Sequence, residues 1–159
     1  MKFQAQLANA INKTYGSTFW VKKTLTSSSI TTAAQDLTTV ASGQLYVKQV
    51  IVKSDGGTIT GGTNLVIASN NAKGTANIAV ETFANLTGSV ATRVLVGLPP
   101  ATDTTTSDAV FSVTAVPTIL EAGKKLTYNS TGSAGTGAGT VDVFVQFERV
   151  DNSAQCSAA

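Results

Sequence analysis

Thr140-Val-Asp-Val-Phe-Val-Gln-Phe-Glu-Arg-Val150 is the stretch that decides the fold of this chain. Val141, Val143, Val145 and Phe147 fall on one side of an extended backbone, and Asp142, Gln146 and Glu148 fall on the other. Alternation with period two marks a strand that has one face in a core and one toward solvent, the pattern of antiparallel sheets. Phe144 interrupts the polar side. An aromatic there needs cover from a loop or a partner, and a loop is the expectation.

Working back toward the N-terminus, the same kind of sequence repeats in short runs. Strands are expected at Asp36–Val40, Leu45–Lys53, Asn64–Ser69, Asn77–Phe83, Thr92–Gly97, Ala109–Val116 and Lys124–Asn129. Between them lie turn sequences such as Ala41-Ser-Gly43, Asp55-Gly-Gly57, Gly61-Gly62, Pro99-Pro100 and Glu121-Ala-Gly123. Short strands punctuated by turns every ~8–15 residues indicate a sandwich or barrel. Leu45–Lys53 is apolar on both sides, with Leu45, Val47 and Ile51 set against Tyr46, Val50 and Val52. That predicts a central strand covered on both faces. Gly132-Ser-Ala-Gly-Thr-Gly-Ala-Gly139 has the glycine content of a phosphate loop but lacks the Gly-Lys-Ser/Thr and the following helix that such loops need. A flexible hairpin connection between the last two strands is expected there.

Composition agrees with a β-protein. Apolar residues make up 42% of the chain but charged residues only 13%, about half the usual ~25%. Thr and Ser take the solvent positions instead, and β-branched Thr suits a pleated surface. A charge-poor surface also suits one covered by neighbours.

The first 23 residues are different. They hold Lys2, Lys13, Lys22 and Lys23, no carboxylate, and four of the ten aromatics: Phe3, Tyr15, Phe19 and Trp20. The remaining residues, 24–159, carry seven of the eleven cations and all nine acids, a net −2. Phe3, Leu7 and Ile11 fall at i, i+4 and i+8, the stripe of a short helix over about residues 2–12. Some ten residues of helix are marginal in water and need a surface to lie on. Ser17–Leu25 follows as an extended segment, and Ser27–Ser29 as a polar joint. We therefore divide the chain into an N-terminal docking arm (1–29), a β-sandwich domain (30–150) and a C-terminal tail (151–159). The docking residues expected in the arm are Phe3, Leu7, Ile11, Lys13, Tyr15, Phe19, Trp20, Lys22 and Lys23. Aromatics such as Trp anchor interfaces, and lysines steer toward an acidic partner.

Little in the sequence supports chemistry. There is no histidine, which removes the commonest general base and metal ligand. The single cysteine, Cys156, forms no internal disulfide and no thiolate zinc site. The acids are scattered; Asp103 and Asp108 share a Thr-rich loop that reads as solvated rather than as a calcium site. No catalytic residue, cofactor or metal is expected. Four lysines without arginine are weak for nucleic acid, and the polar side of the expected helix is Gln/Asn rather than lysine, unlike a membrane-surface helix. The opening residues lack the apolar core of a signal peptide, and no apolar run reaches membrane-spanning length. Neither a nucleic-acid nor a membrane partner is expected.

Three passages carry a family resemblance. They are Asp36-Leu-Thr-Thr-Val-Ala-Ser-Gly-Gln-Leu-Tyr-Val-Lys-Gln-Val-Ile-Val52, Thr118-Ile-Leu-Glu-Ala-Gly-Lys-Lys-Leu126, and the closing Val141-Asp-Val-Phe-Val-Gln-Phe-Glu148. With these, residues 36–150 resemble small virion jelly-roll proteins, the capsid decoration (cement) and head-fibre proteins of tailed phages. The resemblance is one of pattern. It implies an all-β fold, a jelly-roll-like antiparallel sandwich. It further implies a homotrimer, made in the host cytoplasm, that sits on the virion exterior and binds the major capsid protein without cofactor or catalysis. Two other functions are compatible with the fold. A fibre-head or carbohydrate-binding module predicts aromatics in the loops, and the loops at 54–63, 70–76, 99–108 and 130–139 contain none. A shell-forming jelly-roll capsid protein is the other.

Overall fold

A computed structural model of the chain describes residues 17–71, 74–88, 90, 92–96 and 118–158. Among the described residues ten strands occur in this order: β1 (Thr18–Thr26), β2 (Gln35–Ser42), β3 (Gln44–Ser54), β4 (Asn64–Asn71), β5 (Gly74–Thr82), β6 (Thr92–Val96), β7 (Thr118–Glu121), β8 (Lys125–Thr131), β9 (Thr140–Arg149) and β10 (Gln155–Ala158). They form two antiparallel sheets. The first runs β1-β9-β3-β6, with β7 also pairing β3; the second runs β10-β2-β8-β4-β5.

The pairings are nested. β4 pairs β5, β3 pairs β6, β2 pairs β8, and β1 pairs β9. Successive nested pairs alternate between the sheets, as when a long two-stranded ribbon is wound into a sandwich. This is the jelly-roll order. β7 and β10 are additions at the margins. The all-β sandwich expected from the sequence is therefore present. The expected strand at Ala109–Val116, the helix over 2–12 and the acids Asp103 and Asp108 lie outside the described residues.

The two inner faces meet in one core. Val141, Val143, Val145 and Phe147 of β9 are each fully buried, as the alternation required. Leu37 and Val40 of β2, Leu65 and Ile67 of β4, Leu126 of β8 and Leu120 of β7 join them.

β3 corrects one expectation. It is central, lying between β9 and the pair β6/β7, but only one of its faces is in the core. Its register against β9 shifts between Val47 and Gln49, a bulge that adds one residue and flips the alternation. Leu45, Val47, Val50 and Val52 consequently all point inward and are buried, while Tyr46 and Ile51 remain half-buried on the outer face.

The chain termini of the described body are strands rather than arm and tail. β1 pairs β9 without interruption from Thr18↔Glu148 to Thr26↔Thr140, so the boundary drawn at residue 29 falls inside the domain. Residues 155–158 form β10 on β2, and Ala154 is fully buried beneath it. Cys156 is half-buried there, and burial pushes its thiol pKa up.

The glycine-rich stretch 132–139 is also not a hairpin. β8 and β9 lie in different sheets, so it crosses from one to the other. Backbone bonds hold it on the way: Gly135 N–H to Ile30 O at 2.7 Å, Thr136 N–H to Thr60 O, and Gly139 N–H to Thr58 O at 2.9 Å. Asp55 closes this end of the sandwich, accepting from Gly57 N–H at 2.8 Å, Thr140 N–H at 3.0 Å and Thr140 Oγ1 at 2.9 Å. The Thr140 and Gly57 amides hold the Asp55 carboxyl below its ordinary pKa.

A depressed folded-state pKa has a definite sign. The stabilisation is present above the unfolded value of about 4 and is lost as pH falls through the lower folded value. Asp55→Asn should therefore flatten the decline in urea midpoint below about pH 4 relative to the native chain. Parallel midpoint-versus-pH curves for the two proteins would count against this role.

Candidate interaction surface

β1 alternates strictly. Phe19, Val21, Lys23 and Leu25 face the other sheet; Thr18, Trp20, Lys22, Thr24 and Thr26 face away from it. This divides the expected docking residues. Phe19 packs on the core, its ring 5.6 Å from that of Phe147 and 4.5 Å from the Arg149 guanidinium. Lys23 reaches across to the second sheet, where its ammonium donates to Asp36 O at 2.6 Å and lies 5.4 Å from the Tyr128 ring. Phe19 and Lys23 thus serve the body's own packing. Trp20 and Lys22 are the two presented outward, and Trp20 is 48% exposed. Phe3, Leu7, Ile11, Lys13 and Tyr15 lie outside the described residues.

The register shows what surrounds Trp20. One row across the outer face reads Lys22, Phe144, Ile51; the next reads Trp20, Gln146, Gln49; a third reads Thr18, Glu148, Tyr46, Ile119. Trp20 and Phe144 are diagonal neighbours, a spacing of roughly 7–8 Å between strand positions that large side chains can bridge. Ile119 is 43% exposed at the end of its row. Trp20, Phe144, Ile51, Tyr46 and Ile119 therefore share one outward face. Among the described residues Lys22 lies over Phe144, its ammonium 5.5 Å from the ring centroid.

Four of the charges on this face form two ion pairs within the chain. Lys22 meets Asp142 at 2.8 Å and Lys48 meets Glu148 at 2.9 Å. Burial alone would raise the Asp142 pKa, but hydrogen bonds from Lys22 and Thr24, together with the Lys22 charge, hold it below the ordinary value. Exposed pairs of this kind add little stability. The face thus presents Trp20, Phe144, Ile51, Tyr46 and Ile119 among glutamines and balanced charges, the composition of a protein-binding patch rather than of a charged groove.

Tyr46, Ile51 and Ile119 were not singled out from sequence. The bulge in β3 and the short strand β7 bring them to this face, and neither leaves a pattern that periodicity detects.

Beside the patch lies an open hollow of about 310 Å³ lined by Lys53, Ser54, Asp55, Val90, Thr140 and Asp142. Its two carboxylates are engaged as described, and no nucleophile–base pair lines it. Among the described residues no group of three His, Cys, Asp or Glu is placed to hold a metal ion, and no helix is long and apolar enough to cross a membrane. No protein-family model matches the chain, and a search of curated proteins finds no relative.

Proposed function

We propose that this chain is a non-enzymatic structural protein of a virion. It is a decoration or cement protein that attaches to the outside of an icosahedral shell and bridges its subunits, acting as a homotrimer on the major capsid protein. A jelly roll hosts many functions, so the fold is compatible with this reading without selecting it. The observation that carries it is Trp20. It stands half-exposed on an outward face that it shares with Phe144, Ile51, Tyr46 and Ile119, three strand positions from Ser17, which follows the basic segment 1–16.

In this reading the lysines of the segment steer the chain toward an acidic shell surface. Trp20 and its neighbours then supply the desolvated contact that holds it there. Modest contacts repeated over several subunits give strong avidity.

The test is co-sedimentation with purified shells that lack the chain. Trp20→Ala should weaken binding about 30-fold, the size of an interface anchor worth ~2 kcal/mol. Its melting temperature should stay close to the native value, because the side chain is outside the core. Deleting residues 1–16 should weaken binding independently. Native affinity in both variants would sink the reading.

A further inference from the structure

Sheet edges are liabilities that proteins manage, with short strands, bulges and lysines that deter pairing. Among the described residues the edges are β1 on one side of the first sheet, β6 and β7 on the other, and β10 and β5 in the second. β7 and β10 have four residues each and β6 has five. Register shifts interrupt β10 on β2, β6 on β3, and β5 on β4. β1 has neither defence: it is nine residues long and pairs β9 without a slip.

Only one of its two lysines is withdrawn from the edge, and the other stays 51% exposed. Lys22 folds back over β9 to Asp142 and Phe144, and Lys23 points inward to Asp36 O.

The phase of the hydrogen bonds identifies which main-chain groups the edge offers. Arg149 N–H donates to Ser17 O at 3.0 Å, and Ser27 N–H donates to Gly139 O at 3.1 Å. Both pairs continue the β1–β9 register. Hydrogen-bonded and non-hydrogen-bonded pairs alternate along an antiparallel ladder. The odd-numbered residues of β1 therefore bond β9, and Thr18, Trp20, Lys22, Thr24 and Thr26 turn their N–H and C=O groups away from it.

We infer that β1 is an acceptor edge for strand addition. An extended segment of a partner protein pairs main chain to main chain with Thr18–Thr26 and places a carboxylate opposite Lys22. The inference rests on the docking role proposed above and specifies its contact. A second copy fits less well. Two-fold antiparallel pairing over the full strand would set Lys22 against its own counterpart, and like charges directly opposite destabilise a sheet. Lys22 retains donors beyond the one that meets Asp142, since an ammonium carries three, and its side chain is 51% exposed.

The probe is a capped Thr/Val peptide of about nine residues, the length of β1, with one central Glu. It is titrated to millimolar concentration while the amide signals of the full chain are followed by NMR. Shifts should concentrate on Trp20, Lys22 and Thr24, and amide exchange there should change from fast in the free chain to slow in the complex. N-methylating alternate peptide amides should weaken binding at least about tenfold in one of the two phases. Replacing the central Glu with Lys should also weaken it.

Thr24→Pro removes an edge N–H while leaving the bonds to β9, and should give a similar loss. Thr24→Ala, which removes only the hydroxyl bond to Asp142, should bind as the native chain does. Absence of shifts, or binding insensitive to N-methylation, overturns the inference. So does slow exchange of those amides in the isolated chain, which would place the chain's own residues on the edge. Protection that rises with protein concentration would place a second copy there and would also overturn it. The assay contains no shell, so its failure is separable from failure of the shell-binding reading.

Discussion

Phe147→Ala is expected to lower the melting temperature by about 6–20 °C, while Phe144→Ala on the same strand lowers it by only a few degrees. Phe147 is fully buried, between Phe19 and the valines of β9 and β3. Truncating such a ring costs roughly 3–5 kcal/mol, because apolar transfer is lost and the surrounding core relaxes only partly into the cavity. For a chain of this size each kcal/mol moves the midpoint by about 2–4 °C. Phe144 is three positions earlier and faces outward, where Lys22 lies over its ring. Its loss removes partial burial and a cation–π contact worth about 0.5–1 kcal/mol at an exposed site. Thermal unfolding of the two variants side by side is the measurement. Equal losses would mean that the faces of β9 are assigned wrongly, and the sandwich packing with them.

Gly137→Ala should cost about 3 kcal/mol, more than Gly88→Ala at about 1 kcal/mol, although both glycines have positive φ. Gly137 has φ +102° and Gly88 has φ +78°. Both positions impose backbone strain on an alanine. They differ in space: nothing lies within 4 Å of a Cβ built at Gly88, whereas one at Gly137 overlaps the Thr58 carbonyl oxygen. Thr58 is fixed in turn, since its carbonyl accepts from Gly139 N–H. The overlap has to be relieved by moving the crossing segment itself. Denaturant midpoints compare the two variants, and faster exchange at the Gly139 and Ser27 amides would localise the damage to the crossing. Similar losses at the two positions would show that strain alone matters and that the crossing tolerates displacement.

These contrasts also show where the sequence was informative. β9 was legible because it is regular: alternation survives wherever a strand has no bulge and one face is dry. β3 misled because a single inserted residue at the Val47–Gln49 step reversed the parity, so counting by twos spread its apolar residues over two faces and suggested cover on both, where Leu45, Val47, Val50 and Val52 share one. β10 carries almost no apolar signal. It is held by main-chain pairing with β2, by Thr38 Oγ1 donating to Ser157 O at 2.7 Å, and by Arg149 Nε donating to Ala154 O at 2.9 Å. The β2 pairing and the Thr38 bond join residues more than a hundred positions apart, and such bonds leave no local trace.

The candidate site was half legible. Of the docking residues expected in the basic leader, Trp20 and Lys22 are presented outward. The same composition could not separate them from Phe19 and Lys23, because that division depends on strand parity and on which sheet lies beneath.

The junction at Ser17 has a mechanical consequence. Arg149 braces it: its main-chain N–H bonds Ser17 O, its guanidinium donates to Ser17 Oγ at 2.9 Å and to Ala154 O, and it stacks on Phe19. Tension entering at Ser17 along the strand axis would have to slide β1 along β9. Every bond from Ser17 to Ser27 then bears the load together, in shear. Tension directed sideways would have to peel the strand one bond at a time, and it would begin at the end that Arg149 ties to Ser17, just before β1, and to Ala154, just before β10. At that junction the body resists an axial pull better than a sideways one.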